Sequence, residues 1–205
     1  MADLGDLTSL ASILTAALSY LLGSIPFGLL VTRLGGAGDV RSIGSGNIGA
    51  TNVLRTGRKE LALATLVLDA GKGAVAVLVA RQLFDNEALT ALAGASAFLG
   101  HLFPVWLRFK GGKGVATFYG VLLAAAWPVG LVSAAAWIVV FALTRISSLS
   151  ALLAASVAVP VAWLMGLPMP VIGLTAFMAA LVLVRHHENI GRLLRGQEPR
   201  FGSGR

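Results

Sequence analysis

The stretch Gly44-Ser-Gly-Asn-Ile-Gly-Ala-Thr-Asn-Val-Leu-Arg55 carries much of what a phosphate group needs. Gly44, Gly46 and Gly49 permit positive φ and close approach of the backbone to a ligand. Successive amides in such a turn can form an anion-binding concavity. Ser45 and Thr51 offer hydroxyls, Asn47 and Asn52 offer amide donors, and Arg55 offers a planar fork that matches phosphate oxygens. A solvated turn would use the same residue types, so this stretch alone decides nothing. Its G-x-G-x-x-G spacing is not a dinucleotide fingerprint, because that motif needs a parallel sheet and the surrounding segments cannot build one.

A second stretch, Lys110-Gly-Gly-Lys-Gly-Val-Ala-Thr117, places glycines directly before a predicted helix. A helix start exposes unpaired N–H groups, and its dipole favours negative charge. Gly111, Gly112, Gly114 and Thr117 are therefore candidate phosphate contacts, and Lys113 adds a mobile full charge. This is not a Walker A loop, since Gly114 stands where Ser or Thr is required. A short turn with basic anchors is the plainer alternative. His101, upstream, reads as a packed or interfacial histidine among Phe103, Trp106 and Phe109 rather than as a ligand.

The third stretch is Arg185-His-His-Glu-Asn-Ile-Gly-Arg192. On a continuing helix His186 and Asn189 share a face, and Asn189 and Arg192 repeat that spacing. Histidine can accept or return a proton near neutrality, and asparagine can orient an imidazole or a substrate hydroxyl. His186 and His187 point about 100° apart on a helix and do not both serve one site. Downstream, Gly196-Gln-Glu-Pro reads as a chain end in which Glu198 is structural.

Two smaller features accompany these. Asp69 and Lys72 lie inside an apolar run, where ionisable groups are expensive and face the bundle interior. A neutralising structural pair is the favoured reading, and a substrate contact is the alternative. Ser147, Ser148 and Ser150 open another apolar run and are expected to cap its helix, with one hydroxyl able to reach a site.

The elements that must position these groups are lipid-like. The chain has 205 residues, 57% hydrophobic and 12% charged, with a mean hydropathy of +0.84. A soluble domain of this length could not cover so much apolar surface. Charge-poor runs cover Leu7–Val31, Leu61–Ala80, Ala88–Leu107, Val115–Leu143 and Leu149–Val184. A spanning helix needs about 20 apolar residues, so each of the last two can hold two short helices. Pro128 with Gly130 breaks the first, and Gly166, Pro168 and Pro170 break the second.

The expected fold is thus all-α: a polytopic integral membrane protein of seven transmembrane helices, forming one domain over residues 1–205. Nearly all Lys and Arg then fall in loops on one side, while the other side holds Arg81 beside Asp3, Asp6, Asp85 and Glu87. The positive-inside rule puts the N-terminus outside and the C-terminus in the cytoplasm. Six spans would carry the basic tail outward. Val115–Trp127 and Val171–Val184 are short, and require flanking extension, local thinning or partial spanning. The N-terminus lacks a basic n-region and reads as part of the protein rather than as a cleavable signal.

Composition also excludes. The net charge of +7 follows from topology, and no nucleic-acid motif accompanies it. The absence of cysteine rules out disulfides, thiolate metal sites and a thioester intermediate. No cofactor and no metal are expected.

All three stretches fall on the cytoplasmic face in this topology. Ser45, Arg55, Lys113, backbone amides and a His–Asn pair would bind phosphate more than once and supply one proton acceptor beside fatty chains. Acyl transfer between a phosphorylated acyl donor and a small phosphorylated alcohol uses all of them. The rival is a membrane transporter of organic phosphates or other anions. Alternating access asks for groups near the midplane and gates on both sides, whereas these groups cluster on one face.

Four segments in order carry a family resemblance: GSIPFG at Gly23–Gly28, GSGNIGATNVLR, GHLFPVWLRFKGGKGVAT and RHHENIGRLLRGQEP. The chain resembles the bacterial acyl-phosphate-dependent glycerol-3-phosphate acyltransferases, which are integral inner-membrane proteins. The resemblance implies transfer of a fatty acyl group from acyl phosphate to the sn-1 hydroxyl of glycerol-3-phosphate. Lysophosphatidic acid and inorganic phosphate would be the products, in the first step of phospholipid synthesis. It places the first motif's Ser and Arg on Ser45 and Arg55. The second motif's loop falls on Gly111, Gly112, Lys113 and Gly114, and the third motif's His and Asn fall on His186 and Asn189. The partners it implies are acyl phosphate, glycerol-3-phosphate and membrane lipid. Because acyl phosphate is already activated, direct attack by the glycerol hydroxyl is expected. His186, held by Asn189, would position or deprotonate that hydroxyl, unless the substrate's own phosphate takes the proton.

Overall fold

The computed structural model describes residues 9–202. Asp3, Asp6, the start of the first apolar run at Leu7 and the end of the tail at Arg205 lie outside them. The described residues contain helices and turns and no strand. They fall into two compact units, Met1–Ala125 and Ala126–Arg205.

In the first unit, α1 (Leu10–Gly23) is capped by Ser9, whose side chain accepts the N–H of Ser12. Pro26 interrupts the run, and its carbonyl then starts α2 (Phe27–Leu34). A polar loop leads to the one-turn α3 (Ala50–Val53). The long α4 (Lys59–Phe84) ends where Asp85 turns left-handed, and Asn86 caps α5 (Glu87–Leu102) by accepting from Ala88 and Leu89. A glycine loop precedes α6 (Val115–Ala125). Small residues let these helices meet backbone to backbone. A Cβ on Gly120 would sit 1.8 Å from the Ala70 oxygen, and one on Gly23 2.0 Å from that of Ala97. Arg81 donates to the carbonyls of Ala124 and Ala125, closing the end of α6.

The second unit packs α7 (Trp127–Thr144) on α8 (Ser147–Leu164) and α8 on α9 (Met169–Arg185). Pro128 stands in the first turn of α7, where its missing N–H costs nothing. Gly166 at φ +63° and Pro168 separate α8 from α9. The expected breaks in both long runs are therefore present. A further break was not expected. α9 stops at Arg185, and α10 (His187–Leu194) departs at 60°, so the helix does not continue through the third motif.

Among the described residues, five helical segments are long and apolar enough to cross a bilayer: Leu10–Leu34, Lys59–Phe84, Glu87–Leu107, Trp127–Thr144 and Ser147–Leu164. The bent pair α9–α10 makes a sixth if it crosses once. Val115–Ala125 is apolar but has only 11 residues. The outward residues are those of a lipid-facing surface: Leu131, Ile138 and Leu143 on α7 are 53%, 62% and 81% exposed.

Candidate active site

The first motif folds around Asn52. Its side chain is buried, and its Nδ2 donates to the carbonyls of Val40 (2.9 Å), Ile43 (3.1 Å) and Asn47 (2.8 Å). Its Oδ1 accepts from the Ser45 N–H at 3.1 Å and from Arg55 at 3.3 Å. Asn52 is thus the organiser of the loop and not a phosphate donor, since main-chain oxygens already occupy its amide protons. Gly44 has φ +53°, and a Cβ there would lie 2.4 Å from Asn52 Oδ1 and 2.7 Å from Arg55 Nη1. Asn47 Oδ1 accepts the Gly49 N–H at 3.0 Å. Below the loop Val40, Ile48, Val53 and Ala62 form an apolar floor. Ser45, Gly46, Thr51 and Arg55 are left exposed above it.

Charge singles out Arg55. Asp39 binds both Arg33 (3.0 Å) and Arg41, and hydrogen bonding from Arg41 holds its carboxyl well below the usual carboxylate range. Arg58 pairs with Glu60. Arg55 instead touches the neutral amide of Asn52, and no carboxylate lies within ion-pair distance of it among the described residues. Its positive charge is therefore available to a ligand. A cleft of about 380 Å³ beside it is lined by Gly36, Ala37, Ile43, Arg55, Thr56 and Arg58.

The second motif returns to the end of α5. Gly111 N–H donates to Leu102 O (3.1 Å) and Gly112 N–H to His101 O (3.2 Å). These two amides satisfy helix-end carbonyls and are not phosphate donors, which corrects the expectation for them. Gly114 has φ +86° and lies against Phe98. Thr117 is fully buried and donates to Asp69 O at 2.9 Å, so it too is structural. Lys113 is half-buried and stands just before the first turn of α6, where helix N–H groups lack intrahelical acceptors.

Asp69 and Lys72 form the expected ion pair at 2.8 Å, with side chains 2% and 1% exposed. His101 Nδ1 lies 3.5 Å from Asp69 Oδ1. Trp106 and Phe109 are exposed, so the aromatics that neighbour His101 in sequence do not enclose it; Asp69 and the glycine loop do.

In the second unit His186 is the hinge residue between α9 and α10 and is buried. Its Nδ1 lies 2.8 Å from Val182 O, and a carbonyl only accepts, so Nδ1 carries the proton. In the neutral ring Nε2 is then the basic nitrogen. His187 is exposed, with its Nδ1 on Val184 O at 2.9 Å. Asn189 donates to Glu198 Oε1. Glu198 also accepts from Ser148 Oγ (2.7 Å) and Arg192 Nε (2.6 Å), and its side chain is 7% exposed. Burial raises its carboxyl, but these hydrogen bonds outweigh that and hold it below the ordinary glutamate value. The serines do not cap α8 as expected. Ile146 is the N-cap, Ser150 donates back to Ile146 O, and Ser148 reaches Glu198.

Residues 13–196 match the model of a protein family described as glycerol-3-phosphate acyltransferase. The chain belongs to this family. Among similar glycerol-3-phosphate acyltransferases, that of Caulobacter vibrioides is 64% identical over 203 residues, covering 98% of this chain and 93% of the relative. That of Rhodospirillum rubrum is 56% identical over 211 residues, covering 99% and 97%. Among solved structures, the glycerol 3-phosphate form of PlsY (YgiH), an integral membrane glycerol 3-phosphate acyltransferase, superposes with TM-score 0.88 at 40% identity. It covers 93% of this chain and 96% of that one. The lysophosphatidic acid form gives 0.87 at 39% identity. The family match makes this chain an integral membrane acyltransferase. Within the third motif Glu198 is structural, as expected, and the structure supplies the partners that the sequence does not show: Ser148, Asn189 and Arg192.

Proposed function

We propose that this protein transfers a fatty acyl group from acyl phosphate to the sn-1 hydroxyl of glycerol-3-phosphate, at the cytoplasmic side of the bacterial inner membrane. Likeness to PlsY over 93% of the chain carries this reading, because that protein's two structures are its glycerol 3-phosphate and lysophosphatidic acid forms. Those ligands are the acceptor and the product of a single acyl transfer.

The glycerol hydroxyl oxygen attacks the acyl carbonyl carbon, the bond from that carbon to the phosphate oxygen breaks, and inorganic phosphate leaves. Arg55, with no carboxylate within ion-pair distance among the described residues, and Lys113 bind the phosphoryl groups and offset the charge that develops. The exposed Ser45 hydroxyl adds a donor, while the Gly46 N–H is spent on Ile43 O (2.9 Å). His186 Nε2, made basic by the bond from Nδ1 to Val182, takes the hydroxyl proton. Asn189 and Ser148 enter through Glu198, which fixes the segment after the hinge. This reading takes the chain as a single transmembrane domain of seven crossings. Val115–Ala125 crosses with help from its flanks, and the N-terminus lies outside.

The test is direct. Purified protein in detergent receives acyl phosphate and glycerol-3-phosphate, and phosphate release is followed. Transfer from acyl phosphate and none from acyl-CoA is expected; equal use of acyl-CoA, or no transfer, overturns the reading. A burst of acyl-enzyme at Ser45 would replace direct attack by a two-step route.

A further inference from the structure

We propose that His101 is a positioning residue for the transfer, set by Asp69 and Lys72 and acting through the glycine loop that carries Lys113. This rests on the acyltransferase reading above. Three buried ionisable side chains meet inside apolar helices: Asp69, Lys72 and His101, the last 3% exposed. Asp69 and Lys72 already neutralise each other, so the bundle needs no third group for charge balance. The imidazole instead adds reach. Its Nδ1 edge faces Asp69 on α4, and its Nε2 edge lies under Gly112, where a Cβ would come within 2.2 Å.

The loop has no side chains of its own to set its position at Gly111, Gly112 and Gly114. It is held from outside, by the two N–H bonds to the end of α5, by the His101 ring under Gly112 and by Phe98 under Gly114. The same turn of α4 is tied at both ends. Lys72 Nζ donates to Ile25 O (2.8 Å) in the break before Pro26, and Asp69 O accepts from Thr117 on α6. His101 thereby transmits a fixed point in the bundle to the backbone beside Lys113. Displacing a phosphate-binding group by about an ångström is enough to cost binding of the substrate in its reactive pose.

A purely structural cluster would alter thermal stability and leave substrate affinity alone. The experiment compares wild type, His101→Ala, His101→Asn, Gly112→Ala and the His101→Ala/Gly112→Ala pair in detergent. Thermal unfolding is read alongside kinetics with acyl phosphate and glycerol-3-phosphate. His101→Ala should raise KM for a phosphorylated substrate about tenfold, while a folded protein persists. His101→Asn keeps a donor for Asp69 but withdraws the Nε2 edge, and should show the same defect. Gly112→Ala should be costly alone and nearly silent beside His101→Ala, where the ring it would strike is gone. A folded His101→Ala with wild-type KM, or a Gly112→Ala effect equal in both backgrounds, overturns the proposal. If His101→Ala does not fold, hydrogen exchange of residues 110–118 in His101→Asn decides: selective acceleration supports it, an unchanged rate refutes it. Wild type inactive with acyl phosphate would sink the acyltransferase reading instead, and the exchange measurement would still judge His101.

Discussion

His186 Nδ1 lies 2.8 Å from the main-chain oxygen of Val182, one turn back on α9. The bond commits one ring nitrogen to the helix end and makes the other basic, an arrangement suited to taking a proton. Replacing His186 by Asn should lower kcat about 10²- to 10⁴-fold with little change in KM. Single-turnover kinetics at saturating acyl phosphate checks this. A loss smaller than about tenfold would assign the proton to the substrate's own phosphate and leave His186 a binding role.

Arg33, Arg41 and Arg58 each hold a carboxylate, whereas Arg55 holds an amide. Charge alone would not distinguish these four. Arg55→Ala should cost about 1.5–3 kcal/mol of substrate binding, the usual worth of a hydrogen bond to a charged group, read as a KM increase of about ten- to a hundredfold. Arg33→Ala should change KM less than about fivefold, because an exposed ion pair such as Arg33–Asp39 is worth only about 0–1 kcal/mol. Equal effects from the two would remove Arg55 from its special place.

Gly44 has no room for a side chain and sits at φ +53°. Gly44→Ala should therefore push Asn52 and Arg55 apart, at a left-handed backbone cost of about 1–2 kcal/mol. The expected outcome is a lower Tm together with a raised KM for glycerol-3-phosphate. Wild-type KM would mean that the Asn52–Arg55 contact does not aim the guanidinium.

How much of this was legible beforehand depends on the kind of signal. Apolar run length and proline position located the helices, because lipid burial and a missing N–H act locally. Gly44, Arg55, Lys113 and His186 stood out because their residue types are rare in such surroundings. Asn52, Gly111, Gly112 and Thr117 carry donors, so their residue types alone suggest ligand contacts. The fold spends those donors on main-chain oxygens or a helix end, and only coordinates reveal which acceptor is nearest. The hinge at His186 was equally hidden, since nothing in Arg185-His-His-Glu breaks a helix by propensity. Glu198 is legible as structural, but its partners Ser148 and Asn189 are not, because they lie 50 and 9 residues away in the chain.

Glu198 has a carboxyl held below the ordinary value of 4.5. A depressed carboxyl favours the folded state when ionised, so its contribution is complete above that ordinary value. It is lost as pH falls through the lower folded-state value. Tm of the wild type should therefore drop below about pH 4.5 more steeply than that of Glu198→Gln, which lacks the titrating group. The variant should start from a lower Tm at neutral pH, with Ser148, Asn189 and Arg192 deprived of their shared acceptor. Parallel pH profiles would show that Glu198 does not anchor the segment after the hinge.

The number of crossings turns on α6, whose 11 residues rise only about 16 Å against a hydrocarbon core of about 30 Å. If α6 crosses with its flanks, the tail after α10 faces the same side as the first-motif loop; if it does not, the tail faces the other. The chain has no cysteine, so single introduced thiols report cleanly. Lys59→Cys, Glu87→Cys and Arg200→Cys would be exposed in intact spheroplasts to a maleimide that cannot cross the membrane. Seven crossings predict labelling of Glu87→Cys alone, with the other two labelled only after the membrane is opened. Labelling of both Glu87→Cys and Arg200→Cys from outside would mean an even count. The topology would then put His186 and Asn189 across the bilayer from Arg55, and the roles proposed for them in one reaction would fall with it.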